Sequence, residues 1–375
     1  MEIGQKKKMN ITINKSSIIP PSKTIPESSN RLWTSNLDLV VGRIHILTVY
    51  FYRPNGSSTF FDPIAMKKAL ADVLVSFYPM AGRLDRDESG RIVINCNGEG
   101  ALFVEAEADS SLDDFGEFTP SPEFRRLTPE VDYSGDISSY PLFFAQYHPP
   151  PTMITTTQKS GSLSKSSTTM LKLTLEQLNT LKAKAKNEGG PAYSTYEILA
   201  AHIWRCACKA RGLSDDQLTK LYVATDGRSR LSPRLPPGYL GNVVFTATPV
   251  AKSGSLTSES LSNAAKLIHT TLTQMDNEYL RSAIDYLETQ PNLSALIRGP
   301  SYFASPNLNI NAWTRLPVYD ADFGWGRPIF MGPATILYEG TIYVLPSPNN
   351  DRSVSLAVCL DAKEQPLFEN YLYDL

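Results

Sequence analysis

Residues 141–152 read PLFFAQYHPPPT. Leu142, Phe143, Phe144 and Ala145 make a short apolar run of the kind that becomes a buried strand. Such a strand normally turns back through Gly, Asn or Asp and rejoins its sheet. This one passes through Gln146, Tyr147 and His148 straight into Pro149, Pro150 and Pro151. Proline donates no backbone N–H and fixes its own φ, so the strand ends at once, with no visible partner downstream. Residues 155–168, TTTQKSGSLSKSST, are polar and low in complexity, which predicts a linker. The expected organisation is an N-terminal domain over 1–154, a linker over 155–168 and a C-terminal domain over 169–375.

Residues 1 to about 30 are polar and Ser/Pro-rich, with little reason to pack. Leu37 to Tyr52 is rich in β-branched and aromatic residues and predicts a strand. Asp62 followed by Pro63 predicts a helix start, with Met66, Leu70, Val73, Leu74 and Phe77 on its buried face. RIVINC and ALFVEAEA flank NGEG as a hairpin or as two short strands, and a Pro/Ser/Asp-rich loop follows to about Tyr140. Beyond the linker, MLKLT predicts a strand. Capping boxes at Thr174/Gln177 and Ser194/Glu197 open two helices, the first ending near Gly189. LYVATDG, NVVFTATP, TILYEGTIYVLPSP and SVSLAVCLDA predict further strands, and residues 256–287 one or two long helices. Strands and helices alternate in both halves, so the fold class is α/β.

The 375 residues are 42% hydrophobic and carry a net charge of −2. That length suits two domains, and that charge argues against nucleic acid or an anionic membrane as partner. The basic start has no apolar stretch after it, and no run is long enough to span a bilayer. Cys96, Cys206, Cys208 and Cys359 are few and scattered, which suits a reducing, cytoplasmic compartment. Cys206 and Cys208 point to different helix faces and make a poor metal pair. No metal site is expected.

Histidine is the usual general base at neutral pH, and there are four. His148 lies among prolines and reads as an exposed loop residue. His202, beside Trp204 in a helix, reads as packed and structural. His269 reads as a surface residue with no acid nearby. His45, with Thr48 and Tyr50 close behind on an apolar strand, is either a buried structural residue or a substrate contact. Hydrolase, dinucleotide, phosphate-loop and zinc-protease motifs are absent. DFG occurs at Asp114 and at Asp322, but the other kinase elements are missing. The second DFG belongs to YDADFGWGRP, Tyr319 to Pro328, where Gly324 and Gly326 bracket Trp325 and allow a sharp turn around a large aromatic anchor. Asp322 at its head is expected to receive Arg228 or Arg230 in a structural ion pair, in preference to direct proton transfer.

DFGWG, preceded by ATDGRSR and GYLGNVV, resembles the BAHD acyltransferases of plants. The resemblance extends through LWTSNLDLVV, VYFYRPNGSS, FYPMAGRL, INCNGEG, YSTYEILAAHIWRCACKARGL, SPNLNINAWTRLP and VLPSPNNDRS, from about Arg31 onward. It implies two chloramphenicol-acetyltransferase-like domains around a solvent channel and transfer of an acyl group from a coenzyme A thioester. Within the family the chain is similar to the hydroxycinnamoyl-CoA transferases of phenylpropanoid and chlorogenic acid metabolism. These acylate quinate or shikimate as monomers, with coenzyme A thioester as co-substrate and no bound cofactor. GRIHILTVYFY leans to the quinate branch.

The family carries an HxxxD motif whose histidine takes the proton of the acceptor hydroxyl. It lies after the strand that FFAQ resembles and well before the segment that YHPPPTM resembles; here the two are fused. Four residues after His45, His148, His202 and His269 stand Val49, Thr152, Cys206 and Thr273. A block of several tens of residues is therefore missing, the base with it, leaving an incomplete N-terminal domain and an impaired enzyme. The other reading is a non-catalytic remnant that binds ligand or partner without turnover.

For the residues that remain, the resemblance implies roles. Arg298, in ALIRGP, matches the arginine that grips the acceptor carboxylate. Trp313, in Ala312-Trp313-Thr314-Arg315, matches a wall of the acceptor pocket, and Asn311 stands where shikimate transferases show threonine. His45, Thr48 and Tyr50 match the acceptor-side lining. Ser194, Thr195, Tyr196 and Glu197, and Asp226, Gly227, Arg228, Ser229 and Arg230, match stretches assigned to ligand contact. Asp322, Phe323, Gly324, Trp325 and Gly326 form the structural motif.

Overall fold

A computed structural model describes residues 9–26, 30–149, 166–186, 191–236 and 238–375. The strands are β1 (Ile11–Ile19), β2 (Arg31–Trp33), β3 (Thr48–Phe51), β4 (Arg83–Arg86), β5 (Ile92–Asn95), β6 (Ala101–Ala108), β7 (Phe144–Tyr147), β8 (Ser166–Leu173), β9 (Leu218–Asp226), β10 (Val244–Ala247), β11 (Val250–Lys252), β12 (Leu308–Ala312), β13 (Phe330–Pro333), β14 (Thr341–Pro346) and β15 (Val354–Asp361). The helices are α1 (Asn36–Leu39), α2 (Pro63–Ser76), α3 (Pro122–Arg126), α4 (Leu175–Lys184), α5 (Thr195–Ala210), α6 (Ser253–Ser258), α7 (Leu261–Thr273), α8 (Asn277–Glu288), α9 (Pro300–Phe303) and α10 (Gln365–Tyr373).

Two compact units result. The first holds residues 1–35, 43–163 and 318–335; the second holds 36–42, 164–317 and 336–375. Neither is a single stretch of chain: Asn36–Gly42 is exchanged into the second unit and Val318–Thr335 into the first. The linker expected over 155–168 lies outside the described residues up to 165, as does its boundary at 154. Ser166, Ser167 and Thr168 are strand residues, because they pair antiparallel with Asp361, Leu360 and Cys359 of β15.

In the first unit the polar N-terminus proves to be a long edge strand. β1 pairs antiparallel with β6 over Ile11 to Ile19. It was hidden because most of its residues are exposed and they include Asn14, Lys15 and two serines. β7 lies parallel to the other side of β6, with Phe144 to Tyr147 beside Leu102 to Glu105. The strand before the prolines thus has its partner upstream, and it ends the order β1-β6-β7. RIVINC and ALFVEAEA do not form a hairpin, since β5 joins β2 and β4 in a separate sheet.

The strand expected over Leu37–Tyr52 shrinks to β3. Its first part is the short helix α1, where Asp38 accepts the Asn242 backbone N–H and the Leu37 carbonyl accepts the Asn242 side-chain amide. β3 pairs with β13, burying Val49 and Phe51 and turning Thr48 and Tyr50 to the other face. Phe51 packs against Phe115, Phe118 and Phe124 at ring-centroid distances of 4.9, 4.9 and 5.4 Å, so the Pro/Ser/Asp-rich loop supplies core. Helix α2 starts as expected, with Asp62 accepting the Ile64 N–H. Its apolar stripe is incompletely covered: Leu74 is buried, but Val73 is 48% and Phe77 57% exposed, and Ile64 at the start of the helix is 79% exposed.

The second unit is built on one mixed sheet in the order β10-β9-β12-β14-β15-β8, with β11 also on β9. β12 runs parallel to both neighbours. Helix α5 is buried almost throughout, and Trp204, fully enclosed, donates its indole N–H to the Thr219 hydroxyl at 3.0 Å. Both expected capping boxes are present. Helix α4 ends at Lys184, and Gly189 lies outside the described residues. The long helical stretch is three helices, because Ser260 and Asp276 cap new starts at α7 and α8. The Arg211 side chain, 1% exposed, binds Glu339 and Glu364 and donates to the Asn307 carbonyl.

The exposed apolar stripe of α2 and the single pairing of β7 set an expectation for the whole chain. It should bind a hydrophobic dye, and limited proteolysis should cut first within residues 9–147. A product containing residues 166–317 should outlast those cuts. Loss of both units together in one sharp transition would refute this.

Candidate active site

The DFGWG turn is closed by its own acid. Asp322 Oδ1 accepts the backbone N–H of Gly324 at 2.8 Å and of Gly326 at 2.9 Å. Both glycines sit at positive φ, +94° and +101°, which a side chain would resist. Trp325 is thereby driven into the core, 6% exposed, against Phe60, Phe61, Tyr52 and Phe323. Asn55 holds the Trp325 carbonyl and the Tyr52 hydroxyl holds that of Ala321.

Asp322 Oδ1 is occupied by this turn, and Arg228 and Arg230, which belong to the other unit, have partners of their own. Arg228 pairs with Asp226 and donates to the Gly241 carbonyl. Arg230 donates to the carbonyls of Leu272 and Met275 around the end of α7, where a cation complements the helix dipole. Gly227, just before Arg228, admits the Phe245 ring, which a Cβ would meet at 2.6 Å. Ser229 is exposed.

His45 is not on β3. Its Nε2 donates to the Pro141 carbonyl at 2.9 Å, and its Nδ1 lies 2.6 Å from the Tyr133 hydroxyl. With Nε2 carrying the proton, Nδ1 accepts from Tyr133, so the neutral ring is saturated. Burial lowers its pKa, partly offset by the Pro141 carbonyl. His148, expected in the open, is partly buried: Nε2 meets the Leu127 carbonyl at 3.2 Å, while Nδ1 and the neighbouring Gln146 Oε1 are buried without a partner. His202 is buried and bonds the Leu372 carbonyl at 2.9 Å.

His269 reverses its expectation. Its Nδ1 lies 2.9 Å from Glu197 Oε1, while Glu197 Oε2 accepts the Ser194 N–H. The acid was missed because it lies 72 residues away in sequence. His269 is the histidine whose ring a carboxylate orients. Within the same segment Tyr196 donates to the Ile310 carbonyl at 3.0 Å, and Thr195 is partly buried.

Arg298 is placed differently from the other arginines of the second unit. Its Nη1 donates to the Thr246 hydroxyl at 2.5 Å, and its guanidinium carbon stands 4.8 Å from the Tyr302 ring and 5.9 Å from that of Tyr222. No carboxylate among the described residues pairs with it. Ala312 ends β12, and Trp313, Thr314 and Arg315 follow it directly. Trp313 meets Tyr343 edge-on at 5.0 Å, and Thr314 and Arg315 are exposed. No group of side chains able to hold a metal occurs among the described residues. No helix among them is long and apolar enough to cross a membrane.

A model of the transferase family matches residues 9–148 and 150–375. The chain is a BAHD acyltransferase. The match divides at Pro149, where the fused strand meets the prolines. Shikimate O-hydroxycinnamoyltransferase of Nicotiana tabacum is 47% identical over 436 residues, covering 98% of this chain and 100% of the relative. Hydroxycinnamoyltransferase of Narcissus pseudonarcissus is 44% identical, and a hydroxycinnamoyl-CoA:5-hydroxyanthranilate N-hydroxycinnamoyltransferase of Avena sativa 43%, with the same coverage. An alignment of 436 positions against a chain of 375 residues leaves at least 61 positions of the tobacco protein without a counterpart. Among solved structures, vinorine synthase superposes with a TM-score of 0.70 at 18% identity, covering 96% of each chain. F. graminearum TRI101 complexed with ethyl coenzyme A gives 0.73 at 14%, covering 90% of this chain and 96% of that one. These two share the fold.

Two predictions follow from the geometry of this BAHD chain. Replacing Asp322 by Ala removes two acceptor bonds at an exposed turn and should cost about 1 kcal/mol. Asp322→Asn, which keeps an acceptor oxygen, should cost less; equal melting of parent and Asp322→Ala would contradict the assignment. Burial, with the nearby charges of Arg205, Lys184 and Lys209, lowers the pKa of His202 despite the Leu372 carbonyl. The unfolded imidazole therefore takes up a proton first. Its contribution to stability is complete above about pH 6.5 and is lost as pH falls below it. Melting temperature should drop from pH 7.5 to 5.5, and less steeply in His202→Gln. Equal slopes would refute the role.

Proposed function

We propose that the chain descends from an acyltransferase that moves a hydroxycinnamoyl group from coenzyme A to a hydroxyl of quinate, with shikimate the alternative acceptor, and that this form is impaired in turnover. The observation that carries the acceptor is Arg298. A guanidinium fork held on an aromatic bed, with no protein carboxylate on it, suits bidentate capture of a ligand carboxylate. The acceptors named for the tobacco and oat relatives, shikimate and 5-hydroxyanthranilate, are both carboxylic acids. Asn311 in place of threonine favours quinate.

On this reading Trp313 walls the acceptor. Thr48 and Tyr50 in the first unit, and Ser194 to Glu197 and the Asp226–Arg230 loop in the second, are ligand-contact segments on the same reading, the arginines of that loop in a structural capacity. Coenzyme A thioester is co-substrate. Impairment is supported by three observations. The family match breaks at Pro149. No histidine is followed at the fourth residue by aspartate. Gln146 and His148, just before the break, keep buried polar atoms unpaired, a cost of about 1–3 kcal/mol each. Four unpaired buried cysteines support a reducing compartment, and we read the protein as a cytoplasmic monomer.

The test is ester formation from p-coumaroyl- or caffeoyl-CoA with quinate or shikimate. This chain should give no product above background at neutral pH, since loss of a general base costs roughly two to four powers of ten. Inserting an HxxxD-bearing block between Gln146 and Tyr147 should restore transfer. Comparable turnover by both forms would overturn the impairment. His269, not His45, would then be the histidine to replace first.

A further inference from the structure

The bed beneath Arg298 is more extensive than one exposed arginine requires. Tyr222 of β9 is 3% exposed, and its ring lies 4.2 Å from that of Tyr302 at an interplanar angle of 26°. Tyr302 is in α9, four residues after Arg298, with Gly299 and Pro300 between them. Phe303 braces both tyrosine rings edge-on and stacks in turn on Tyr338 at 5.6 Å. The arginine is thus gripped at its face by a ring and at Nη1 by the Thr246 hydroxyl. The N–H groups at Nη2 and Nε have no partner among the described residues. They form the edge at which a planar carboxylate binds with two parallel hydrogen bonds.

We infer that Tyr302, backed by Tyr222, is a positioning residue that fixes the Arg298 guanidinium, and thereby sets this site's preference for acceptors bearing a carboxylate. The inference rests on the reading of Arg298 as the carboxylate-binding group. A long side chain held in advance loses less freedom when the ligand arrives. A guanidinium gains from the ring face in a way that an aliphatic side chain cannot supply. Burial, with the neighbouring Tyr302, also raises the Tyr222 hydroxyl, to about 12, so the ring beneath stays neutral at any ordinary pH.

The test uses the whole chain, quinate, and the uncharged amide of quinate. Arg298→Ala should abolish the preference for quinate over the amide. Tyr302→Leu should weaken quinate binding about three- to fivefold and leave the amide unchanged, while Tyr302→Phe, which keeps the ring face, should bind as the parent does. If Arg298→Ala weakens quinate and Tyr302→Leu does not, the inference fails and the reading of Arg298 stands. If quinate does not bind the parent, or binds Arg298→Ala equally well, the reading of Arg298 fails. A second measurement needs no acceptor. Phenylglyoxal modification of Arg298, followed by mass spectrometry of its peptide, should be several-fold faster in Tyr302→Leu than in the parent and in Tyr302→Phe. An unchanged rate would show that Tyr302 does not hold the guanidinium and would overturn the inference.

Discussion

The first unit is bounded by one constraint: the backbone has no hydrogen to donate at Pro149. A sheet grows by alternate donation and acceptance along both edges of each strand. Among the described residues β7 has one partner, β6, and after His148 come three prolines with no N–H to donate. β7 itself therefore cannot run on past His148 as a hydrogen-bonded strand. The family match divides at the same residue. Buried polar atoms left unpaired on Gln146 and His148 are the interior counterpart of that edge.

The second unit shows what an intact core of the same chain achieves. Its sheet places β12, β14 and β15 inside, between partners on both sides. Arg211 ties the end of α5 to the start of β12, to the turn before β14 and to α10. A guanidinium buried to that degree is tolerable because two carboxylates and a carbonyl meet its donors. The same residue type on the exposed bed of Tyr302 has no such acid. The contrast is between an arginine enclosed by two acids and one that lies on aromatic rings and meets only a hydroxyl.

Local signals were the legible ones. Asp62 before Pro63, Thr174 with Gln177, and Ser194 with Glu197 are satisfied within four residues, so reading them needs no tertiary knowledge. The DFGWG turn was legible for the same reason, since Asp322 bonds only two and four residues ahead. The expected pair with Arg228 or Arg230 had no such local signal, since it would join residues far apart along the chain. β12 was missed: Asn309 and Asn311 are poor strand formers, and only the burial of Leu308 and Ile310 between β9 and β14 makes LNINA a strand. Leu37 to Leu47 failed the other way, as its apolar residues serve a helical turn and a loop. The pairing of His269 with Glu197, and the stacking of Tyr302 on Tyr222, join residues far apart along the chain that no spacing rule connects. The resemblance singled out Arg298 as a residue to inspect; the aromatic bed beneath it became visible only in three dimensions.

The pairing of β3 with β13 imposes an order on synthesis. Phe51 and Phe330 are neighbours in the sheet, and the Trp325 anchor belongs to the same body as Tyr52 and Phe61. A ribosome that has finished the first strands of this body must make almost the whole of the other one before supplying the last strand. At ordinary rates of elongation that interval is on the order of tens of seconds. Through all of it the Phe51 strand waits without its partner, exposed to chaperones and to its own neighbours on the polysome. The body that is made first is therefore completed late, and a chain interrupted before Pro333 leaves it open.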